Sequence, residues 1–187
     1  MTQSPSVAII DYGMGNLDSV RRAVEECGGN AFIAHDPADV KGASHLILPG
    51  VGAFAAGMHN LRSGGWEAPL RELVLEQKVP CLGICLGMQL LATNGTEGGT
   101  NVGLGWIEGE VRLFEPSDPT ERVPHVGWNQ VEHNGAEPLL AHIPSGTDFY
   151  FVHSYYFQCH RPEESVATTP YAGGFTSVVH RDNLWGV

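Results

Sequence analysis

Val79-Pro-Cys-Leu-Gly-Ile-Cys-Leu-Gly-Met-Gln-Leu-Leu-Ala92 passes from an apolar strand segment, Val79–Ile84, into an apolar helical segment, Leu86–Ala92. The joint is one cysteine, Cys85, with glycine two places before it and two places after. Small residues at Gly83 and Gly87 let the backbone turn sharply between strand and helix. A strand that feeds straight into a helix is half of an α/β repeat. Upstream the alternation recurs. Val7-Ala-Ile-Ile10 is a short continuous apolar run, as in a strand buried on both faces. Asp11–Asn16 turns the chain, Asn16 is placed to cap a helix over 17–27, and Gly28-Gly29 ends it. Ala31–Ala34 and His45–Leu48 read as further strands, the second stopped by Pro49-Gly-Val-Gly52. A helix near 67–77 carries Leu70, Leu73, Val74 and Gln77 on one face.

The second half changes character. Trp106–Phe114 alternates, with Ile107, Val111 and Leu113 on one side and Glu108, Glu110 and Arg112 on the other. Strands are expected near His125–Val131, Phe149–Gln158, Ser165–Thr168, Phe175–His180 and Asn183–Val187. Helical periodicity is weak there, which predicts antiparallel hairpins. The expected fold class is α/β: a mostly parallel central sheet flanked by helices, with an added antiparallel region in the second half. Glu115–Glu121, with two prolines, reads as a loop, and a single domain over 1–187 is expected.

Composition narrows the function classes. The 187 residues are 42% apolar and 17% charged, a globular balance with enough length for a core. Net charge is −11. An acidic surface repels phosphate backbones, so no nucleic-acid partner and no anionic membrane partner is expected. No apolar run approaches the ~18 residues of a membrane helix. The polar start, Met1–Ser6, carries no secretory signal pattern. Cys27, Cys81, Cys85 and Cys159 are too few and too irregular for a disulfide framework, and a reducing, cytoplasmic setting is expected. Cys81 and Cys85 lack a second ligand pair nearby, so no metal is expected. Gly13 and Gly15 do not make a dinucleotide fingerprint, because Asp18 stands where the third glycine belongs. No cofactor is expected.

Gly83-Ile-Cys-Leu-Gly87 has the form of a nucleophile elbow. A helix N-terminus beneath the sulfur is expected to lower the thiol pKa and favour the thiolate. The next amide, Leu86 N–H, is placed to donate to an oxyanion. The alternative is that Cys85 is a small buried hydrophobe and the glycines only pack the junction. Cys81, inside the strand, reads as core.

Gly83-Ile-Cys-Leu-Gly-Met-Gln89 resembles the elbow of the class-I, triad-type glutamine amidotransferases. Asp11-Tyr-Gly-Met-Gly-Asn16, Leu48-Pro-Gly-Val-Gly-Ala-Phe54, Pro124-His-Val-Gly-Trp-Asn129 and Phe151-Val-His-Ser-Tyr-Tyr156 resemble, more narrowly, the glutaminase subunits of imidazole glycerol phosphate synthase. The resemblance runs from about Val7 to Val187. It implies that Cys85 attacks the glutamine carboxamide and forms a γ-glutamyl thioester. It implies an oxyanion site from Val51, Gly52 and Leu86. Gly50, Gln89, His153, Ser154 and Tyr155 match the substrate-binding positions. Asn16 and Trp128 match positions facing the partner, a (β/α)8-barrel cyclase. That cyclase uses the ammonia on a phosphoribosyl-formimino carboxamide ribonucleotide, giving imidazole glycerol phosphate and an aminoimidazole carboxamide ribotide. Plainer readings stand beside these: a tight turn at Pro49–Gly52, a helix cap at Asn16, a solvent-facing Gln89 and a core histidine at His153.

One departure is visible. The family's catalytic histidine and glutamate lie in a His-Pro-Glu stretch after the strand matched by Asn183–Val187, and neither has a counterpart among these residues. His160-Arg-Pro-Glu163 follows the wrong strand, His180 precedes the last one, and His125 sits in a block without a triad role. Little turnover is therefore expected from the 187 residues. Two alternatives stay open: an amidotransferase subunit serving a chorismate-using synthase, against which the Asp11–Asn16 and His125–Asn129 blocks speak, and a catalytically inert docking subunit.

Overall fold

The computed structural model describes residues 4–187; Met1–Gln3, part of the polar start noted above, lie outside them. The first half runs β1 (Ser6–Ile10), α1 (Leu17–Glu26), β2 (Asn30–Ala34), β3 (His45–Gly50), α2 (Phe54–Ser63), α3 (Glu67–Arg71), β4 (Cys81–Cys85) and α4 (Leu86–Leu90). Two short strands follow, β5 (Asn94–Gly95) and β6 (Asn101–Val102), and then β7 (Gly109–Leu113), β8 (His125–Val131) and β9 (Thr147–His153). The chain closes with β10 (Tyr155–Cys159), β11 (Ser165–Thr169), β12 (Phe175–Arg181) and β13 (Leu184–Gly186).

The main sheet has the order β2-β1-β3-β4-β13-β12-β10-β7-β5-β6, with β11 paired on β12. From β2 to β13 every pairing is parallel, and from β13 through β12 and β10 to β7 every pairing is antiparallel. This is the expected parallel core with an antiparallel addition. β8 and β9 stand apart as a two-stranded antiparallel ribbon.

The continuous apolar run of β1 is explained by its burial on both faces. Ala8 and Ile10 pack with Leu46 and Leu48 beneath Phe54, Met58, Leu61 and Leu86. Val7, Ile9 and Ile47 face Leu17, Val20 and Val24 of α1. The Asn16 side chain accepts from Ser19 N–H at 3.4 Å, the expected N-cap, and Gly28 ends the helix at φ +83°.

The structure departs from these expectations in five places. α2 was not expected, although its buried residues Phe54, Gly57, Met58 and Leu61 have the i, i+3, i+4, i+7 spacing of one helix face. The helix over 67–77 is α-helical only to Arg71; a π turn over Glu72–Glu76 follows, closed by Gln77 N–H to Glu72 C=O at 2.9 Å. The wider turn leaves Leu70, Leu73 and Val74 buried and carries Gln77 off that face into solvent. The strand expected over Phe149–Gln158 is two, because the chain changes sheets at Ser154, whose carbonyl accepts from Phe114 N–H at 3.0 Å. Leu113 is 44% exposed instead of sharing Val111's burial, because β7 ends opposite Tyr155 where β10 begins. The His45–Leu48 strand also runs two residues further, and this extension brings Gly50 into register with Cys85.

Candidate active site

Cys85 ends β4 with φ +54° and ψ −112°, a conformation a non-glycine residue adopts only under strain. Two close approaches hold it there. A Cβ on Gly83 would lie 2.8 Å from the Gly87 carbonyl group, and one on Gly87 would lie 1.7 Å from the Leu48 carbonyl oxygen. The glycine spacing read from the sequence is thus required by backbone packed on backbone. Cys85 N–H donates to Val187 C=O at 2.8 Å, which fixes the elbow to the chain beyond β13.

The thiol is not tuned as expected. Cys85 as a residue is solvent-exposed, but protein crowds its sulfur, and burial pushes the thiol above its ordinary range. The Leu86 backbone N–H donates toward the sulfur and pulls the other way, without prevailing. α4 has only five residues, too short for its dipole to offset that burial. Among the described residues no imidazole or carboxylate acts on this thiol. A neutral thiol is therefore the resting state near pH 7, and a base is needed to make it nucleophilic.

Gly50 lies directly across from Cys85, between the Tyr12 hydroxyl and the head of α4. A Cβ there would stand 2.2 Å from Tyr12 Oη and 3.1 Å from Gly87 N. Val51 is exposed, and Gly52, at φ +107°, rests against Met14. On the other side Cys85, Gln89, His153 and Tyr155 line one cavity of about 500 Å³ with Tyr156 and Phe175. Gln89 does not face solvent: its Nε2 donates to the Tyr155 carbonyl at 3.2 Å. Ser154 forms the bend between sheets. A cavity of about 820 Å³ on the α1 side of the sheet does not reach Cys85.

Asn16 follows the carboxyl end of β1, the same sheet edge as Cys85, where α/β folds place their sites. Trp128 is 72% exposed on the ribbon and packs on Tyr150 across the strands at 5.6 Å. Cys81 is buried in the core, as read.

Tyr12, in the turn after β1, lies beside the elbow with no role implied by the family resemblance. It is 5% exposed, and its hydroxyl has no hydrogen-bond partner among the described residues. Burial, then the nearby Cys85, push its phenol upward. Burying an unpaired hydroxyl is unfavourable. Tyr12→Phe is therefore expected to keep the thermal midpoint or raise stability by about 1 kcal/mol. A clear loss in a melting experiment would reveal a partner for the hydroxyl.

The fold and this elbow define a class. The chain belongs to the class-I glutamine amidotransferase family, whose model matches residues 8–187. Within it, the chain is 46% identical over 179 residues to imidazole glycerol phosphate synthase subunit HisH 1 of Campylobacter jejuni, spanning 96% of this chain and 88% of that protein. It is 48% identical over 181 residues to the HisH subunit of Moorella thermoacetica, spanning 97% and 84%. Solved structures share the fold. A crystal structure of a glutamine amidotransferase superposes with a TM-score of 0.75 at 19% identity, over 96% of this chain and 87% of that one. A glutamine amidotransferase from Thermotoga maritima does so with 0.66 at 18%, over 99% and 75%.

Proposed function

We propose that this chain is the glutaminase subunit of an imidazole glycerol phosphate synthase and serves histidine biosynthesis. The observation that carries the proposal is the strained Cys85 elbow, in register with Gly50 and open to the cavity of Gln89 and Tyr155.

In this reading the Cys85 thiolate adds to the carboxamide carbon of glutamine. The carbonyl electrons move to oxygen, which Leu86 N–H and the Val51 and Gly52 amides stabilise. Glycines flanking Val51 let the peptide rotate to present its N–H. The C–N bond then breaks, ammonia leaves with a proton, and water cleaves the thioester to glutamate and free thiol. Backbone groups of the His153–Tyr155 stretch hold the amino-acid end, and Gly50 admits it close to the backbone. A base must take the thiol proton and an acid must give one to ammonia. The described residues place no imidazole for either task, so we expect slow turnover from them alone.

The ammonia goes to a (β/α)8-barrel cyclase docked over Asn16 and Trp128, in the cytoplasm. Free ammonia is mostly protonated near neutral pH, so transfer through a sealed interface keeps it reactive. The test is glutamate release from glutamine by the chain mixed with a cyclase barrel and its nucleotide ligand. Turnover above a Cys85→Ala blank supports the proposal. A second reading, a docking subunit without turnover, is favoured by the raised Cys85 thiol; a thiol probe that labels Cys85 without glutamate release would select it.

The exposed ribbon face gives a separate expectation. Trp128→Ala removes no core contact, so its stability change stays within about 0.5 kcal/mol. An exposed aromatic at the centre of an interface contributes about 2 kcal/mol, so barrel affinity falls about 30-fold. Calorimetric titration against the barrel reads the difference, and unchanged affinity removes Trp128 from the interface.

A further inference from the structure

His125 and His153 face each other across the ribbon, on the side opposite Trp128 and Tyr150. Their protonation is fixed by their neighbours. His153 Nδ1 lies 2.9 Å from the Tyr155 carbonyl oxygen. A carbonyl only accepts, so Nδ1 carries the proton and Nε2 of the neutral ring is an acceptor. His153 Nε2 lies 2.9 Å from His125 Nδ1, which therefore donates. His125 Nε2 is left as an acceptor and meets Asn129 Nδ2 at 3.4 Å. Every link points one way, from Asn129 to the Tyr155 carbonyl, and that carbonyl also accepts from Gln89 Nε2.

Packing keeps the rings in place. His125 is 4% exposed and stacks between Tyr171, at 3.9 Å, and Phe151, at 5.1 Å. His153 meets the ring of Phe114 edge-on at 5.0 Å. Burial, and for His125 secondarily the facing His153, holds both imidazoles below their usual range; Glu121 opposes this at His125 and the Tyr155 carbonyl at His153. Both rings are thus neutral at pH 7, as the chain of donors requires.

We propose that His125 and His153 are positioning residues for the substrate pocket: their one-way hydrogen bonds orient the Tyr155 carbonyl that holds the Gln89 amide nitrogen. Gln89 Oε1 is then left as a fixed acceptor for the ammonium group of an amino-acid ligand. His153 acts through Tyr155 and need not touch the ligand. This rests on the glutamine-pocket reading, but the relay has readouts independent of it.

The experiment is imidazole ¹⁵N NMR on the whole chain with glutamine titrations, in the unmodified protein, His125→Phe and His125→Asn. The expected result is the Nδ1–H tautomer at both histidines. His125→Phe keeps the aromatic stack and deletes the donor. It should shift the Gln89 side-chain amide resonances and weaken glutamine binding about tenfold, as expected for one lost hydrogen bond in a buried network. His125→Asn restores a donor near the Nδ1 position and should recover most of that affinity. An Nε2–H tautomer at His153, or a folded His125→Phe protein with unmoved Gln89 resonances, overturns the relay. If the unmodified chain binds no glutamine, the pocket reading fails, while the tautomers and the Gln89 resonances still decide the relay. If His125→Phe does not fold, the tautomers of the unmodified chain and the His125→Asn spectrum decide it.

Discussion

Replacing Cys85 by alanine abolishes covalent labelling of the chain by a glutamine analogue with an electrophilic carbon, and lowers any partner-stimulated glutamate release by at least about a thousandfold. Nothing at the elbow can replace the sulfur, because the other residues of β4 and α4 that line the cavity, Leu82, Ile84, Met88 and Gln89, carry no hydroxyl, thiol or amine. Mass spectrometry of the labelled chain checks the first outcome and a coupled glutamate assay the second. The pH profile carries further information. Because burial raises the thiol, labelling by a neutral alkylating agent should accelerate on the alkaline side of an ordinary cysteine. A profile displaced to the acid side would show that an electropositive group reaches the sulfur. Cys85→Gly should lose the chemistry equally but gain about 1 kcal/mol in stability, since glycine accepts φ +54° without strain.

Gly87→Ala is expected to unfold the chain or to cost more than about 3 kcal/mol. The added Cβ would sit 1.7 Å from Leu48 O, and backbone in a central strand cannot move aside as a flexible side chain can. A matched control separates this clash from the general effect of losing a glycine. Gly135 has φ +77° and open space around its Cβ position, so Gly135→Ala should cost only about 1 kcal/mol of backbone strain. Thermal melts of the two variants make the comparison, and equal losses would mean that α4 lifts away from β3 at little cost.

The elbow was legible in the sequence because it is local: Gly83, Cys85 and Gly87 lie within five residues of chain. The parallel core was legible for a similar reason, since strands buried on both faces, such as β1, are written as unbroken apolar runs. What escaped was set by partners distant in sequence. His125 and His153 are 28 residues apart and meet only through the register of β8 with β9. The orphan hydroxyl of Tyr12 is visible only once β3 lies beside it. The break at Ser154 was hidden because aromatic residues flank it on both sides, Phe149–Phe151 and Tyr155–Phe157, and only Val152, His153 and Ser154 separate them. The thiol expectation failed on magnitude: it weighed a helix N-terminus and left out burial, and the helix proved to be five residues long. Family resemblance supplied the roles of Val51, Gly52 and Asn16, which no spacing rule could have assigned.

β13 lies between β4 and β12, so the parallel and antiparallel parts of the main sheet are hydrogen-bonded to each other through the three-residue strand Leu184–Gly186 and its flanking residues Asn183 and Val187. Those residues are made more than a hundred positions after Cys81, which pairs with Leu184. During synthesis, then, β4 waits with an open edge until this short strand is made, and β12 joins it only through that strand. Open edges invite pairing with other chains, and late, long-range closure slows folding. A chain cut off before Leu184 would hold two half-sheets with nothing between them. Such a chain should depend on chaperones far more than one in which β13 has docked.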